Sequence, residues 1–323
     1  MYFCINTSSM QFMLIKNNVL LKVETQDVSF GEVQIPSDVI RIGEKAFSHL
    51  SNLERLTLPG TVKIIEERAF EGCSSLKSVT LQEGLIKIGT AAFEGCSELV
   101  NVELPNSLSV LDSHIFRNCK KLLNVELPQN IVQMGKGVFE SCTKLEKGNI
   151  PSLIFEVPDS TFSNCHNLRS VLFESDLRVV GVYAFLNCRN LTEVMFPESV
   201  FEIKECAFRG CQSLVEFTLP ASLEKIQKRA FEACDNLAFV RVPIGSAGLE
   251  RFYMENRESE DESFNQQTDL VQDGSVQSSE QVQDISMGED SENVIEGSVA
   301  DIESEAEESS DEMASLSGGF MSI

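Results

Sequence analysis

The chain has 323 residues with no Trp, 3 Tyr and 21 Phe, a skew that points to internal repetition. Its formal net charge of −24 argues against a phosphate backbone or an anionic bilayer as partner, because both require Lys and Arg to neutralise them. No run approaches the roughly 18 consecutive apolar residues of a membrane-spanning helix, so no membrane insertion is expected.

Residues 1–29 precede the periodic part and are expected to cap it. They offer only the short apolar piece Phe12 to Ile15, with no basic stretch before it and no evident cleavage site. That places the chain in the cytoplasm by expectation, with the cell surface or secretion as the alternative.

From Phe30 a period of 23 residues runs without insertion or deletion. Phe recurs at 47, 70, 93, 116, 139, 162, 185, 208 and 231. Cys follows three places later in eight of the nine copies, from Cys73 to Cys234, and Leu50 stands in the first. A further three places on comes Leu, from Leu53 to Leu237. Each Leu opens an alternating stretch such as Leu99 to Leu104, the period of a strand with one buried face. Pro usually closes it, as at Pro59, Pro105 and Pro220, and ends the ladder in a turn. A second apolar pair follows, as Leu85 with Ile88, and then often Gly (Gly43, Gly89, Gly135, Gly181), where a turn with φ > 0 is expected.

Strands at so short a fixed spacing leave no room for long crossovers and must stack in parallel as a solenoid. Ten strands, starting at Phe30 and ending with the one at Leu237, give a stack about 43 Å long at ~4.8 Å per rung. Copies in the middle depart from the pattern: Gly148 replaces the strand Val, and Pro158 stands at the Gly position. Copies such as 58–76, from Leu58-Pro59-Gly60 to Ala69-Phe70-Glu71-Gly72-Cys73, resemble the BspA-like, or Treponema-type, leucine-rich repeat. The resemblance implies a parallel sheet on the concave side and tight, partly helical turns on the convex side. It also implies surface adhesion or host-ligand binding, since many members in bacteria and protists are surface proteins.

The eight row cysteines are expected to form a buried ladder of small apolar side chains rather than a disulfide framework or a metal site, which would need paired short spacings. Cys206 occupies a variable turn position held elsewhere by Lys45, Arg68 or Arg229 and is the candidate exposed thiol. His49, His114 and His166 fall in different repeat positions. The Cys165-His166 neighbours diverge on a turn, so no nucleophile and base converge. No cofactor and no metal is expected, and an enzyme is the reading the residues support least.

Binding is the expected work. One outward column reads Arg55, Ser78, Asn101, Asn124, Lys147, Ser170, Glu193, Glu216 and Phe239. The other reads Thr57, Thr80, Glu103, Glu126, Asn149, Leu172, Met195, Thr218 and Arg241. Leu172, Met195 and Phe239 set among Glu193, Glu216 and Arg241 make the C-terminal rungs the candidate protein-binding site. The reading is a non-enzymatic scaffold for a protein ligand over repeats 30–246, with adhesin as the alternative.

After Ser246 the chain changes character. Residues 247–323 carry net −19 of the total charge, contain no Cys or Pro, and are rich in Ser, Glu, Asp and Gln. Such a composition cannot bury enough apolar surface to offset chain entropy, and a disordered acidic tail is expected. Leu249, Phe252, Tyr253 and Met254 at its start are candidates for a C-terminal cap. Ser259, Ser286, Ser304 and Ser309 each precede an acidic residue by three places, a pattern that suits acidophilic kinases.

Overall fold

The computed structural model describes Tyr2–Phe3 and residues 13–174 and 176–241. The acidic tail, its capping candidates and Cys4 lie outside the described residues. A rung is taken as 23 residues, the first being 30–52 and the ninth 214–236, each carrying one Phe of the row.

Each rung lays down two short strands, and each kind forms its own parallel ladder. The longer strands are Arg55–Thr57, Ser78–Thr80, Asn101–Glu103, Lys147–Ile150, Ser170–Phe173, Glu216–Thr218 and Phe239–Arg241, paired without slip at 23-residue offsets. Single bridges at Asn124 carry the ladder from Asn101 to Lys147, and Glu193 bridges back to Ser170, while Glu216–Thr218 and Phe239–Arg241 form a separate pair. The second ladder is built from two-residue strands such as Arg41–Ile42, Ile64–Ile65 and Lys87–Ile88. The apolar pair after each proline thus belongs to a second sheet, which the sequence pattern left as a turn. An antiparallel hairpin, Leu14–Lys16 with Val19–Lys22, extends this sheet by pairing Val19–Lys22 alongside Arg41–Ile42. Its turn, Asn17-Asn18, has φ of 51° and 61°, which suits Asn.

Among the described residues the short-strand ladder breaks once, between Gln133–Met134 and Glu156–Val157. In other rungs an N–H just past the strand donates to the preceding rung, as Gly135 does to Leu111 O at 2.8 Å and Gly181 to Val157 O at 2.9 Å. Pro158 has no N–H to give, so the ladder loses that bond there.

The Phe-bearing turns are not helical, contrary to the expectation: the one helical element among the described residues is the 3-10 turn Thr25–Asp27. Backbone N–H groups alternate in direction instead. Ala46, Ser48 and Leu50 donate three residues back, to Gly43, Lys45 and Phe47, while Lys45, Phe47 and His49 donate to Glu67, Ala69 and Glu71 of the next rung. Turning every second N–H along the stack requires left-handed residues, and two columns supply them in every rung. Lys45 (52°), Arg68 (54°) and Ala91 (56°) belong to one, His49 (59°) and Gly72 (69°) to the other. The inter-rung bonds hold non-glycine residues in a region that would otherwise cost each about 1–2 kcal/mol.

Gly43, Gly89, Gly135 and Gly181 do not have positive φ, which corrects the reason expected for them. Space is what selects glycine there. A Cβ on Gly89 would come within 2.7 Å of Glu66 C, and one on Gly135 within 2.5 Å of Ser113 N. These glycines recur every 46 residues, in odd rungs, while Glu66, Asp112, Pro158 and Lys204 hold the same position in even rungs. Pro158 is therefore an even-rung residue and displaces no glycine. The bare glycine leaves a path for side chains of the flanking rungs: Lys204 Nζ reaches across Gly181 to Glu156 Oε1 at 2.6 Å.

Nine Phe rings fill the interior as one continuous stack, with neighbouring centroids 4.6 to 5.8 Å apart. Beside it each row cysteine donates its S–H to the carbonyl of the Phe 26 residues earlier, as Cys73 to Phe47 O at 3.1 Å and Cys142 to Phe116 O at 3.1 Å. The same Phe47 O already accepts the N–H of Leu50. The thiols are thus second donors to buried carbonyls as well as space-fillers. The first copy carries Leu50 in place of the cysteine, and Glu24 stands 26 residues before it.

The main strand does not start at Phe30. Ser29 and Glu32 exchange backbone bonds of 2.9 and 3.0 Å around a two-residue turn in which Phe30 has φ of 50° and Gly31 of 79°. Phe30 is 99% exposed although its counterpart Leu53 is buried, and the first buried strand position is Val33, the counterpart of Leu56. Phe is a poor residue for such a turn and gains no burial from it, so Phe30→Asn is expected to raise stability by about 1 kcal/mol. Urea melts of the two proteins check this; an unchanged or lower midpoint counts against it.

Candidate functional site: the outward face of the long-strand sheet

The strand alternation places one residue in and two out per rung, as in the exposed-buried-exposed pattern of Arg55–Thr57 and Ser78–Thr80. Parallel pairing at a constant offset then stacks identical positions into columns. The register Ser170–Glu193 puts Leu172 and Met195 side by side on consecutive rungs, 61% and 74% exposed. Thr218 follows Met195 in that column, and Arg241 pairs alongside Thr218.

Phe239, 46% exposed, stands in the other column over Glu216. It is therefore two rungs and one column away from Met195. The structure makes a Leu172–Met195 pair and a separate Phe239 corner rather than one cluster of three. Arg241 Nη1 reaches diagonally to Glu216 Oε1 at 2.5 Å, so the charge of Glu216 is matched on the spot. Glu193 is exposed and has no ion pair among the described residues. Val215, half exposed next to Glu216, adds an apolar flank the sequence reading missed, because it precedes the alternating stretch.

Asn149 does not belong to the outward column. It is buried, donating to Leu127 O at 2.9 Å and accepting from Leu127 N at 2.8 Å. The cause lies one residue back: at Gly148 the missing side chain leaves a space that Phe162 occupies, its ring 2.7 Å from where a Cβ would sit. An amide that pairs with both groups of one backbone residue repairs the ladder where the long strand around Asn124 thins to a bridge. Glu174 extends the same network to Gln129, two rungs away.

Among the described residues the thiols and histidines assemble no reactive pair. Burial pushes Cys73 up to about 12 and raises Cys96, Cys119, Cys142, Cys165, Cys188 and Cys211 as well, opposite to what a nucleophile needs. Cys206 is 2% exposed, which corrects the expectation of a surface thiol. His166 is lowered by burial and then by Arg189, while His114 leans on Glu140 at 3.3 Å in another rung. Among the described residues no three His, Cys, Asp or Glu side chains are grouped to hold a metal, and no helix is long and apolar enough to cross a membrane.

The model for the BspA-type leucine-rich repeat region matches residues 25–146, 87–215, 133–258 and 181–304, which together cover more than half of the chain. The chain belongs to the BspA-type leucine-rich repeat family. A leucine-rich repeat protein of T. pallidum is similar at 30% identity and a TM-score of 0.51, over 54% of this chain and 83% of that one. A leucine-rich repeat protein from Bacteroides ovatus is 28% identical over 68% and 80% of the two chains, with a TM-score of 0.33. The pneumococcal vaccine antigen PcpA is 20% identical over 69% and 65%, with a TM-score of 0.44. No match is found among curated protein sequences. A BspA-type solenoid is a scaffold of the protein-binding or adhesin kind. The cytoplasmic placing expected from the sequence finds no support in the fold or in these relatives.

Proposed function

We propose that this BspA-type solenoid is a non-enzymatic scaffold that holds a protein partner on the outward face of its long-strand sheet, over residues 170–241. The observation that carries the reading is the Leu172–Met195 pair. These are two large apolar side chains standing outward on adjacent rungs, where Thr57, Thr80, Glu103 and Glu126 hold the column elsewhere. An exposed apolar pair flanked by Glu193 and by the Glu216–Arg241 ion pair has the anatomy of an interface core with a polar rim. Phe239 is the aromatic anchor, since large rigid rings dominate interface energetics. Family membership favours display at the cell surface, and protease treatment of intact cells followed by blotting tests that placement.

Truncating Phe239 to Ala should cost at least ~2 kcal/mol of affinity with little change in stability, because an outward side chain supports no core. Asn101→Ala, on the polar half of the face, is the control. Partners retained from the source cell by the full chain are identified, and their affinities measured with each variant. A partner that binds wild type, Phe239→Ala and the double Leu172→Ala, Met195→Ala variant equally removes this face from consideration.

A further inference from the structure

The short-strand sheet presents a second outward surface, independent of the strand face above. Two adjacent positions per rung form it: the residue preceding the short strand and the first residue of that strand. In rungs two to five these read Lys63-Ile64, Ile86-Lys87, Ser109-Val110 and Val132-Gln133. In rungs six to nine they read Phe155-Glu156, Arg178-Val179, Phe201-Glu202 and Glu224-Lys225. Every rung from the second to the eighth contributes one apolar residue. Ile86, Val132, Phe155 and Phe201 are exposed, and Ile64, Val110 and Val179 are half-buried.

The order of these residues is self-complementary. A two-fold axis parallel to the short strands reverses the stacking direction of a second copy but keeps its strand direction, so each column meets itself. With the axis between rungs five and six, Val132 faces Phe155, Ile86 faces Phe201 and Val110 faces Val179. Lys63 faces Glu224, and Lys87 faces Glu202. Gln133 and Ser109 meet Glu156 and Arg178, and the Lys225 stem lies over Ile64. Shifting the axis by half a rung toward the N-terminus sets Lys63 on Phe201 and Ile86 on Arg178. Shifting it the other way sets Val132 on Arg178. Pairing the copies with stacks parallel makes the columns swap and sets Lys63 on Ile64. Of these four pairings, only the first sets apolar on apolar through its centre and both Lys63 and Lys87 on acids.

We propose that this face is a homodimer interface, occupied by a second copy of the chain in the antiparallel register centred between Val132 and Phe155. Lys63 and Glu224 have no ion pair within 4 Å among the described residues, so their charges are available to a partner, whereas Lys87 and Glu202 also hold Asp112 and Lys225 at 2.8 and 2.9 Å. The face runs about 34 Å over seven rung spacings and roughly 15 Å across, burying on the order of 1,000 Å² in total. That lies at the low end for specific interfaces, so a weak dimer with Kd of about 10 μM is expected. Such a dimer involves neither Leu172, Met195 nor Phe239.

Sedimentation velocity of the full chain from 1 to 200 μM tests it. A concentration-dependent dimer is expected, with Kd weakened at least tenfold by Lys63→Glu alone and by Glu224→Lys alone. An equimolar mixture of these two variants should dimerise again, because both symmetry-related contacts then join opposite charges. Val132→Glu, which crowds acid against Phe155 and Glu156 of the other copy, should be monomeric while melting like wild type. A wild type that stays monomeric at 200 μM overturns the proposal. So does a dimer indifferent to the single charge reversals, or a mixture that fails to recover.

Discussion

Between pH 8 and pH 10 under reducing conditions, the solenoid is expected to lose roughly 10 kcal/mol of stability, enough to unfold it. The cause is the thiol row. Burial raises seven of the row cysteines above their ordinary value of 9.0, Cys73 to about 12 and the others in the same direction. A group whose folded value exceeds its unfolded value stabilises fully below the unfolded value and loses that contribution as pH rises toward the folded one. The window therefore opens near pH 9 and, for Cys73, runs to about pH 12. At pH 10 each unfolded thiol gains about 1.4 kcal/mol by ionising, and seven act together. Urea midpoints measured at pH 7, 8, 9 and 10 report the slope. A Cys119→Ala, Cys142→Ala double variant should start less stable, having lost two S–H bonds to carbonyls, yet fall less steeply with pH. A midpoint that stays flat from pH 8 to 10 would show that the thiols are not held neutral by burial.

The second large effect is expected at the centre of the aromatic stack. Phe139 lies between Phe116 and Phe162 with centroids 5.8 and 5.6 Å away and planes nearly parallel. Truncation to Ala should destabilise by about 3–5 kcal/mol, because inter-rung bonds in the Phe-bearing turns, Phe116 N–H to Val138 O and Phe139 N–H to Thr161 O, hold the rung spacing and resist collapse of the cavity. Phe47→Ala should cost less, since the terminal ring has one stacked neighbour, Phe70. A solenoid is held by contacts between nearest rungs, so the loss at Phe139 should also uncouple its two halves. Hydrogen exchange should show it as amides of rungs five and six that open while those of rungs two and three stay protected. Equal costs at Phe47 and Phe139 would argue that the stack adds nothing beyond ordinary burial.

What the sequence made legible was whatever repeats at 23 residues. The Phe, Cys and Leu columns, their burial and the parallel register all follow from an unbroken count. What stayed hidden depends on backbone direction. Left-handed turns fall on Lys45, Arg68, His114 and Tyr183, residues that do not advertise them, because inter-rung N–H bonds and not local preference set the conformation. Glycine was misread for the same reason: Gly89 and Gly135 are selected by the backbone of the neighbouring rung, which a one-dimensional reading does not contain. Cys206 was read as exposed from Lys45, Arg68 and Arg229 in its column, although Ala91 shares that column and is also buried. For the binding face, the columns could be read from the strand period, but not that the Asn149 amide folds onto the Leu127 backbone or that Phe239 stands apart from Met195.

The alternation of Gly43, Gly89, Gly135 and Gly181 with Glu66, Asp112, Pro158 and Lys204 makes the heritable module of this solenoid 46 residues rather than 23. Excising one rung, for example 76–98, would set Asp112 directly above Glu66, two acids on neighbouring rungs with no bare glycine between them to admit their chains. Removing two rungs together restores the alternation and joins like to unlike again. Lengths that differ by whole pairs are therefore the ones this architecture can exchange by recombination, and the alternation lapses in the ninth rung, where Gln227 stands in the place of a glycine.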